Sequence, residues 1–439
     1  MLCRPLAALA LTLAATPAVA APPTTAERTM IATVDAEQAR HLALLEKLVN
    51  QNSGTRNLAG VRAVGEMVRP EFEALGFAVR WVDQDAVGRA GHLFATHASK
   101  LGGKAGTKRL LLIGHLDTVF EPDSGFLEFE RVDAATARGP GVGDDKGGVL
   151  VMLAALRAMH KAGTLKAANI EVVLTGDEEE AGLPLEAARA DLVAAGRRAD
   201  AALDFEGLAE DDGRDMGSVA RRSAGNWGIE VTARSAHSSG VFSAAAGDGA
   251  IYALARILAA FRAELPEPNL TFNVGLVVGG ATASLGADEA RAEATGKTNI
   301  IPGHALARGD LRALAPDQIE RAEVKMRAIV ARPYAGATAT LKFDNKYPPM
   351  APTAANRALL ARLNAVNATL GLAEMGELDP LKRGAGDISF VAADVASLAG
   401  LGAASDGDHT ARETVDIPSL WKQAKRAALL MSRLSAEKR

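Results

Sequence analysis

Three short apolar segments of the sequence each end in residues that can bind a metal ion or move a proton. Imidazole and carboxylate groups are typical ligands of zinc and similar divalent ions. A single cluster of this kind is most simply explained as a solvated loop, but recurrence at three strand ends favours one metal-dependent site. The residues concerned are His115 with Asp117, Glu178 with Glu179, and Glu206.

Spacing within these clusters suggests a division of roles. Alternation along a strand sends His115 and Asp117 to one face, where the aspartate can hydrogen-bond the second imidazole nitrogen, as metal-binding histidines commonly require. Glu178 and Glu179 are adjacent and therefore point in different directions, so one can bind metal while the other acts as a base. Asp204 lies on the same face as Glu206, which leaves an aspartate and a glutamate as alternative ligands there.

A glycine-rich segment, residues 139–148, lies between the first two clusters and opens a helix. Its Lys146 is followed by Gly147 rather than Ser or Thr, so the segment lacks the Walker A order and a phosphate cradle is disfavoured. Asp144 and Asp145 at the start of the helix could simply cap it. The neighbouring clusters make metal binding by one of them the better interpretation.

The elements around these residues predict an α/β fold. Continuous apolar runs are typical of strands buried on both faces, and strands that alternate with helices indicate a largely parallel sheet, which binds ligands beyond its carboxyl ends. Between residues 217 and 347 the pattern changes to that of an inserted α+β sandwich, and afterwards the first pattern returns. We therefore predict one discontinuous domain, residues 21–216 and 348–439, with an inserted domain at 217–347.

Composition narrows the class of protein. With 49 Lys+Arg and 53 Asp+Glu among 439 residues the formal net charge is −4, which disfavours a strongly basic nucleic-acid binder. The one cysteine, Cys3, excludes an intrachain disulfide and a cysteine zinc cluster. Residues 1–20 combine a positive start, a short apolar run and a small-residue cleavage site, which predicts a signal peptide. We thus expect a secreted or periplasmic protein with no membrane segment after cleavage.

Taken together, these motifs resemble the M20 family of metallopeptidases, most closely its secreted bacterial glutamate carboxypeptidase branch. The matching stretches run in family order through nearly all of the predicted mature chain. They are Gly114–Val119, Gly139–Gly148, Asp177–Glu179, Phe205–Glu206, Ser235–Ser238, Asn299–Pro302, Asp310–Arg312, and Asp408–Thr410 with Glu413.

The resemblance implies a two-zinc catalytic domain with helices on both faces of its sheet and an inserted lid and dimerisation domain. Zinc could be replaced by Co²⁺ or Mn²⁺. Asp117 would orient His115, and Glu178 would be the general base. The implied metal ligands are His115, Asp144 and Glu206 for one ion, and Asp144, Glu179 and His409 for the other, with Asp144 bridging.

Further residues follow from the same resemblance. His237 would reach into the active site of a second subunit, although a surface-turn histidine is the simpler alternative. Asn299 and Arg312 would contact the substrate carboxylate, with a structural salt bridge as the alternative for the arginine. Gly384 begins a substrate loop whose sequence departs from the usual family form.

The implied activity is zinc-dependent hydrolysis of an amide bond next to a free carboxylate in a small peptide or N-acyl amino acid. An N-acyl amino acid deacylase or a dipeptidase of the same family is the main alternative. A non-catalytic binding relative is a second alternative, which retention of all five proposed ligands and Glu178 disfavours.

Overall fold

The computed structural model of the protein describes residues 22–99, 106–286 and 289–439. The predicted signal peptide, residues 1–20, therefore lies outside the described residues, as does Cys3. The α-helices are α1 (Thr25–Ala36), α2 (Gln38–Asn50), α3 (Leu58–Glu73), α4 (Lys146–Lys161), α5 (Leu185–Ala188), α6 (Ala190–Arg198), α7 (Ala250–Glu264), α8 (Pro316–Val330), α9 (Ala354–Leu370) and α10 (Ile417–Ala436).

The strands vary widely in length, from two to eleven residues. They are β1 (Ala78–Gln84), β2 (Arg89–His97), β3 (Arg109–His115), β4 (Glu130–Arg131), β5 (Thr136–Arg138), β6 (Asn169–Thr175), β7 (Ala201–Asp204), β8 (Ala209–Asp211), β9 (Arg214–Gly217), β10 (Ala224–Ala233), β11 (Thr271–Phe272), β12 (Leu276–Gly280), β13 (Thr282–Leu285), β14 (Ala292–Thr295), β15 (His304–Arg312), β16 (Ala337–Tyr347), β17 (Gly376–Glu377), β18 (Ser397–Leu398), β19 (Ser405–Asp406) and β20 (Thr414–Asp416).

A six-stranded mixed sheet forms the main layer, in the order β1–β2–β6–β3–β7–β18. The pairs β6–β3, β3–β7 and β7–β18 are parallel, whereas the pairs β1–β2 and β2–β6 are antiparallel. This confirms the predicted mixed, largely parallel sheet. Because β3, β6 and β7 run in one direction, the residues that follow them meet at one edge.

Both faces of this sheet are covered, as continuous apolar strands require. Leu110 and Leu112 of β3 pack in a core with α4 and α10, while Leu111 and Ile113 pack in a separate core with α6. Strand alternation thus sends successive side chains of one apolar run into two different cores.

The second sheet has β10 paired with β15 and β16, and short β11 and β12 beside β15. Helices α7 and α8 cover one face, where Trp227 and Phe261 pack edge to face. All of these elements lie within residues 217–347, but the proposed domain boundaries at 217 and 348 stay predictions.

Two elements differ from what the sequence predicts: one strand is divided, and one additional helix is present. The sequence predicts one strand over residues 269–278, whereas the structure has two short strands in this region, β11 and β12, separated by an irregular connection. The sequence predicts its first helix over residues 36–51, and the structure adds α1 before it. The start of α1 carries a reciprocal capping box between Thr24 and Glu27, a signal that the sequence does contain. Within the described part of the chain, no helix combines the length and apolar character needed to cross a bilayer.

Candidate metal centre and active site

The predicted clusters meet at the carboxyl edge of the main sheet. His115 is the last residue of β3, Glu178 and Glu179 follow β6, and Glu206 follows β7. Glu178, Glu179 and Glu206 line one cleft of about 320 Å³ together with Asp144 and His409. The parallel strands therefore deliver residues from distant parts of the sequence to a single site.

The glycine-rich loop carries Asp144 into this site. The Glu413 carboxylate accepts hydrogen bonds from the backbone N–H groups of Gly141, Gly143 and Asp144, at 2.9–3.1 Å. Three donors on one carboxylate fix the turn before α4 begins. Glu413 thus positions Asp144, a role that the sequence motif alone did not define.

Asp144 lies between the two predicted histidine ligands. Its Oδ1 is 2.9 Å from His115 Nε2, and its Oδ2 is 3.1 Å from His409 Nε2. Glu179 Oε2 is 3.2 Å from the same His409 nitrogen. One ligating atom from each of His115, Asp144 and Glu179 falls within 4.8 Å of the others, a grouping that can hold a metal ion.

Asp117 organises the groups behind this cluster. Its Oδ2 accepts hydrogen bonds from the Thr55 hydroxyl at 2.7 Å and from the backbone N–H of Glu179 at 3.1 Å. Its Oδ1 accepts from the backbone N–H of Glu178 at 3.0 Å. Its Oδ1 is 3.4 Å from His115 Nδ1, whose nearer partner is the Asp117 backbone carbonyl at 3.1 Å. Asp117 therefore fixes both the imidazole and the two glutamates.

The carboxylates of this cluster need positive charge nearby to compensate them. Burial raises the pKa of Asp144, but hydrogen bonds from His115 and His409 outweigh it and hold that pKa below its usual range. Hydrogen bonds to Asp144 and Glu179 raise the pKa of His409 to about 11. Protons on the imidazoles therefore compensate the carboxylates in the absence of metal, and divalent ions can replace them there. The donor set fits a metal centre.

Glu178 differs from its neighbours. Within the described residues its carboxylate makes no hydrogen bond or ion pair, and it lines the cleft beside Glu179. Burial, followed by repulsion from Glu206, raises the pKa of Glu178 well above its usual range. A carboxylate with a raised pKa next to a metal centre is suited to accept and return a proton.

Glu206 lines the cleft, but its closest partner is a cation rather than a histidine. Its Oε2 is 2.7 Å from Nη1 of Arg221, which also binds Asp204 at 3.1 Å. Asp204 is buried at the end of β7 and does not line the cleft, so the geometry favours Glu206 of the two alternative ligands. Its metal-binding role stays a prediction.

Behind the cleft, Arg189 joins the loops that carry Glu178 and the Gly384 segment. It pairs with Asp177 at 2.6 Å and with Asp387 at 2.8 Å. The Tyr347 hydroxyl accepts from Arg189 at 3.2 Å and donates to the backbone carbonyl of Glu178 at 2.6 Å. The end of β16 is therefore in direct contact with the segment that carries the predicted base.

The remaining predicted site residues, catalytic His237 and substrate-binding Asn299, Arg312 and Gly384, separate into two groups. Gly384 lines the cleft, and its carbonyl accepts a hydrogen bond from Arg221. His237 and Asn299 lie side by side in the inserted segment, where Ser238 N–H donates to the Asn299 carbonyl, and Arg312 pairs with Asp310 at 2.9 Å. Among the residues that the structure describes, these three do not line the cleft.

Four residues of the site environment were not anticipated from the sequence: Arg189, Arg221, Tyr347 and Arg383. Each contacts residues far away along the chain, so no local spacing marks it. Arg383 also makes distant contacts, but its position directly before the predicted Gly384 loop could have drawn attention to it.

Comparison with known proteins identifies the family. The model of peptidase family M20/M25/M40 matches residues 111–433, more than half of the sequence. The chain therefore belongs to peptidase family M20/M25/M40.

Similarity to individual proteins is more limited. The chain is 34% identical to carboxypeptidase G2 of Pseudomonas sp. (strain RS-16) over 144 residues, which cover 33% of this chain and 34% of that relative. The match thus spans about a third of the curated relative's length.

Solved structures show the same fold at low identity. The aminopeptidase PepT of Bacillus cereus aligns with a TM-score of 0.71 at 19% identity, covering 90% of this chain and 98% of that chain. The YXEP protein of Bacillus subtilis, described as a dinuclear metal binding peptidase of the M20 family, aligns at 0.61 and 14% identity, covering 91% and 98%.

Proposed function

We propose that this chain is an exported, zinc-dependent hydrolase that cleaves an amide bond next to a free carboxylate, in the manner of a glutamate carboxypeptidase. The observation that carries the proposal is the position of Asp144 between His115 and His409, with Glu179 on the same cluster and Glu178 unpaired beside it. Family membership and the partial similarity to carboxypeptidase G2 support it.

His115, Asp144 and Glu206 would hold one zinc ion, and Asp144, Glu179 and His409 the other. Bound divalent ions polarise a substrate carbonyl and lower the pKa of water. Asp117 holds the His115 ring and the Glu178 and Glu179 backbones in place. A Glu178 carboxylate oxygen would take the proton from the attacking water and deliver it to the leaving nitrogen.

The proposed function is tested with a hydrolysis panel on the zinc-loaded protein. We expect N-acyl glutamates and peptides with a C-terminal acidic residue to be cleaved with the highest kcat/KM. Preference for acetylated amino acids would indicate the deacylase alternative, and preference for unblocked dipeptides the dipeptidase alternative. Stoichiometric metal with no hydrolysis of any substrate would support a non-catalytic binding relative.

We further propose that the protein forms a homodimer through its inserted segment. Phe242 and Tyr252 are 64% and 53% exposed and pack against each other, with ring centroids 5.7 Å apart. Ile251 and Val277 are also exposed, and Ile251 contacts β12 at Gly279. Exposed apolar side chains grouped on one segment in this way are typical of an association surface. His237 lies a few residues from Phe242, so an interface here would bring it near a second subunit.

His237→Ala is expected to lower kcat with little change in metal content, because the imidazole would stabilise the oxyanion without binding metal. Mixing it with Glu178→Gln gives a sharper test. If His237 acts in the second subunit, mixed dimers contain one intact site, and re-equilibration should restore about a quarter of the wild-type rate. A mixture no more active than its two components would remove His237 from the partner's site.

Arg312→Ala is expected to impair substrates with a free α-carboxylate far more than their carboxamide analogues, because the planar guanidinium binds carboxylates bidentately. The measurement is kcat/KM for matched acid and amide substrates. An equal loss on both would assign Arg312 to its structural pair with Asp310.

Export is the remaining part of the proposal, and residues 1–20 carry it. N-terminal sequencing of the protein recovered from a periplasmic fraction should start at Ala21. An intact Met1 in the cytoplasmic fraction would contradict export.

A further inference from the structure

Two guanidinium groups, those of Arg221 and Arg383, line the cleft, and they differ in how many of their nitrogens are engaged. Arg221 uses all three. Its Nε donates to the Gly384 carbonyl at 2.8 Å, its Nη2 donates to the Ala385 carbonyl, and its Nη1 contacts Asp204 and Glu206. Arg221 therefore holds the Gly384 loop and offsets two carboxylates.

Arg383 keeps hydrogen-bonding capacity. Its Nη2 donates to the Gly207 carbonyl at 2.6 Å and lies 3.6 Å from Glu206 Oε2. Neither Nε nor Nη1 has an acceptor within residues 22–99, 106–286 and 289–439. The side chain is 18% exposed and lines the cleft, and neither nitrogen is among the buried polar atoms without a partner in the described residues. An anionic ligand in the cleft would therefore pair with guanidinium donors that have no protein acceptor.

The position of Arg383 and the chemistry of its guanidinium group indicate which anion it could bind. A guanidinium matches a carboxylate through two parallel hydrogen bonds. Arg383 lies beside Glu206, a predicted metal ligand, so an anion bound there must be close to the bond that is cleaved. Arg312, by contrast, is in the inserted segment and already pairs with Asp310.

We propose that Arg383 binds the substrate carboxylate that neighbours the scissile amide from within the cleft, as a second contact beside the one proposed for Arg312. This inference rests on the proposed function for the identity of the substrate. It makes Arg383 a specificity-determining residue, and it predicts that the released amino acid binds through the same contact.

The kinetic test compares an N-acyl glutamate with its α-carboxamide in the zinc-loaded protein. Arg383→Met should lower kcat/KM for the acid by about 10- to 100-fold, as loss of a charge-assisted pair implies, and change the amide by less than about threefold. Lys382→Met is the matched control, because this neighbouring cation is half exposed and pairs with Asp211. It should leave both rates unchanged.

Arg383→Lys keeps the charge without the planar fork and should give intermediate discrimination; it also provides a second variant if Arg383→Met folds poorly. Equal losses on acid and amide would overturn the proposal in favour of a general structural or oxyanion role. Unchanged discrimination in both variants would also overturn it.

A binding experiment separates this inference from the proposed function, because it needs no turnover. Calorimetric titration of the zinc-loaded protein uses three probes: glutamate, its γ-amide glutamine and its α-amide isoglutamine. We expect glutamate and glutamine to bind at least tenfold more tightly than isoglutamine, and Arg383→Met to reduce that difference; a variant with unchanged discrimination would contradict the proposal. Weak binding of glutamine instead would assign Arg383 to the side-chain carboxylate and overturn the proposal. Absence of hydrolysis alongside the expected binding pattern would refute only the proposed function.

Discussion

Replacing Glu178 with glutamine or alanine should lower kcat by about 10²- to 10⁴-fold and leave the metal content unchanged. The carboxylate lines the cleft but, among the described residues, makes no ion pair with either histidine of the cluster. Its loss should therefore remove proton transfer without removing a ligand. Burial and the neighbouring Glu206 raise the pKa of Glu178, which suits a group that must both accept and release a proton.

Two neighbouring glutamates serve as controls for this prediction. Glu180 is partly exposed and pairs with Arg56 and Arg89, so Glu180→Gln should keep wild-type turnover. Glu179 contacts His409, so Glu179→Gln should lose metal as well as activity. The measurements are kcat on the best substrate of the panel and metal content by mass spectrometry. Wild-type turnover in Glu178→Gln, or loss of its metal, would assign the base elsewhere.

The elements that the sequence predicts well are those specified by local patterns. Residues 109–115 form one continuous apolar run ending in a polar cluster, and the strand has the expected position. The sequence also predicts a helix from Ala250 to Glu264, and α7 has these bounds because its amphipathic period is visible over four turns. Parallel strands share a carboxyl edge, which explains why His115 and Glu179 meet. Asp144 comes from a loop and His409 follows β19 of another sheet, so His409 was expected only from the family resemblance.

Long-range pairing explains what the sequence could not predict. Strand β20 (Thr414–Asp416) pairs with β5 (Thr136–Arg138), and three residues show no useful period in either segment. Similarly, nothing in the sequence indicates which arginine neutralises a given buried acid. Glu206 is paired with Arg221, although His115 and Asp144 were its expected neighbours. Such pairings are set by tertiary packing and by the need to compensate buried charge.

Arg189→Met should destabilise the protein by about 3–5 kcal/mol, because it leaves two buried carboxylates without their shared cation. Arg189 is 1% exposed, and its partners Asp177 and Asp387 are 0% and 3% exposed. The free energy of unfolding is measured by urea denaturation at fixed zinc concentration, since metal binding itself adds stability. Arg197→Met is the control: its pair with Asp394 is exposed, so its loss should cost less than about 1 kcal/mol.

The cause of that destabilisation can be tested directly. If uncompensated charge is responsible, neutralising the two carboxylates as well should recover a substantial part of the lost stability. The variant that tests this is the triple variant Arg189→Met, Asp177→Asn, Asp387→Asn. A triple variant less stable than Arg189→Met would instead show that packing and hydrogen bonds of the arginine dominate.

Arg189 also contacts Tyr347, whose hydroxyl donates to the Glu178 carbonyl. Tyr347→Phe removes that hydrogen bond while retaining the buried ion pairs. A lower kcat at near wild-type stability in this variant would show that the network positions Glu178 as well as stabilising the fold.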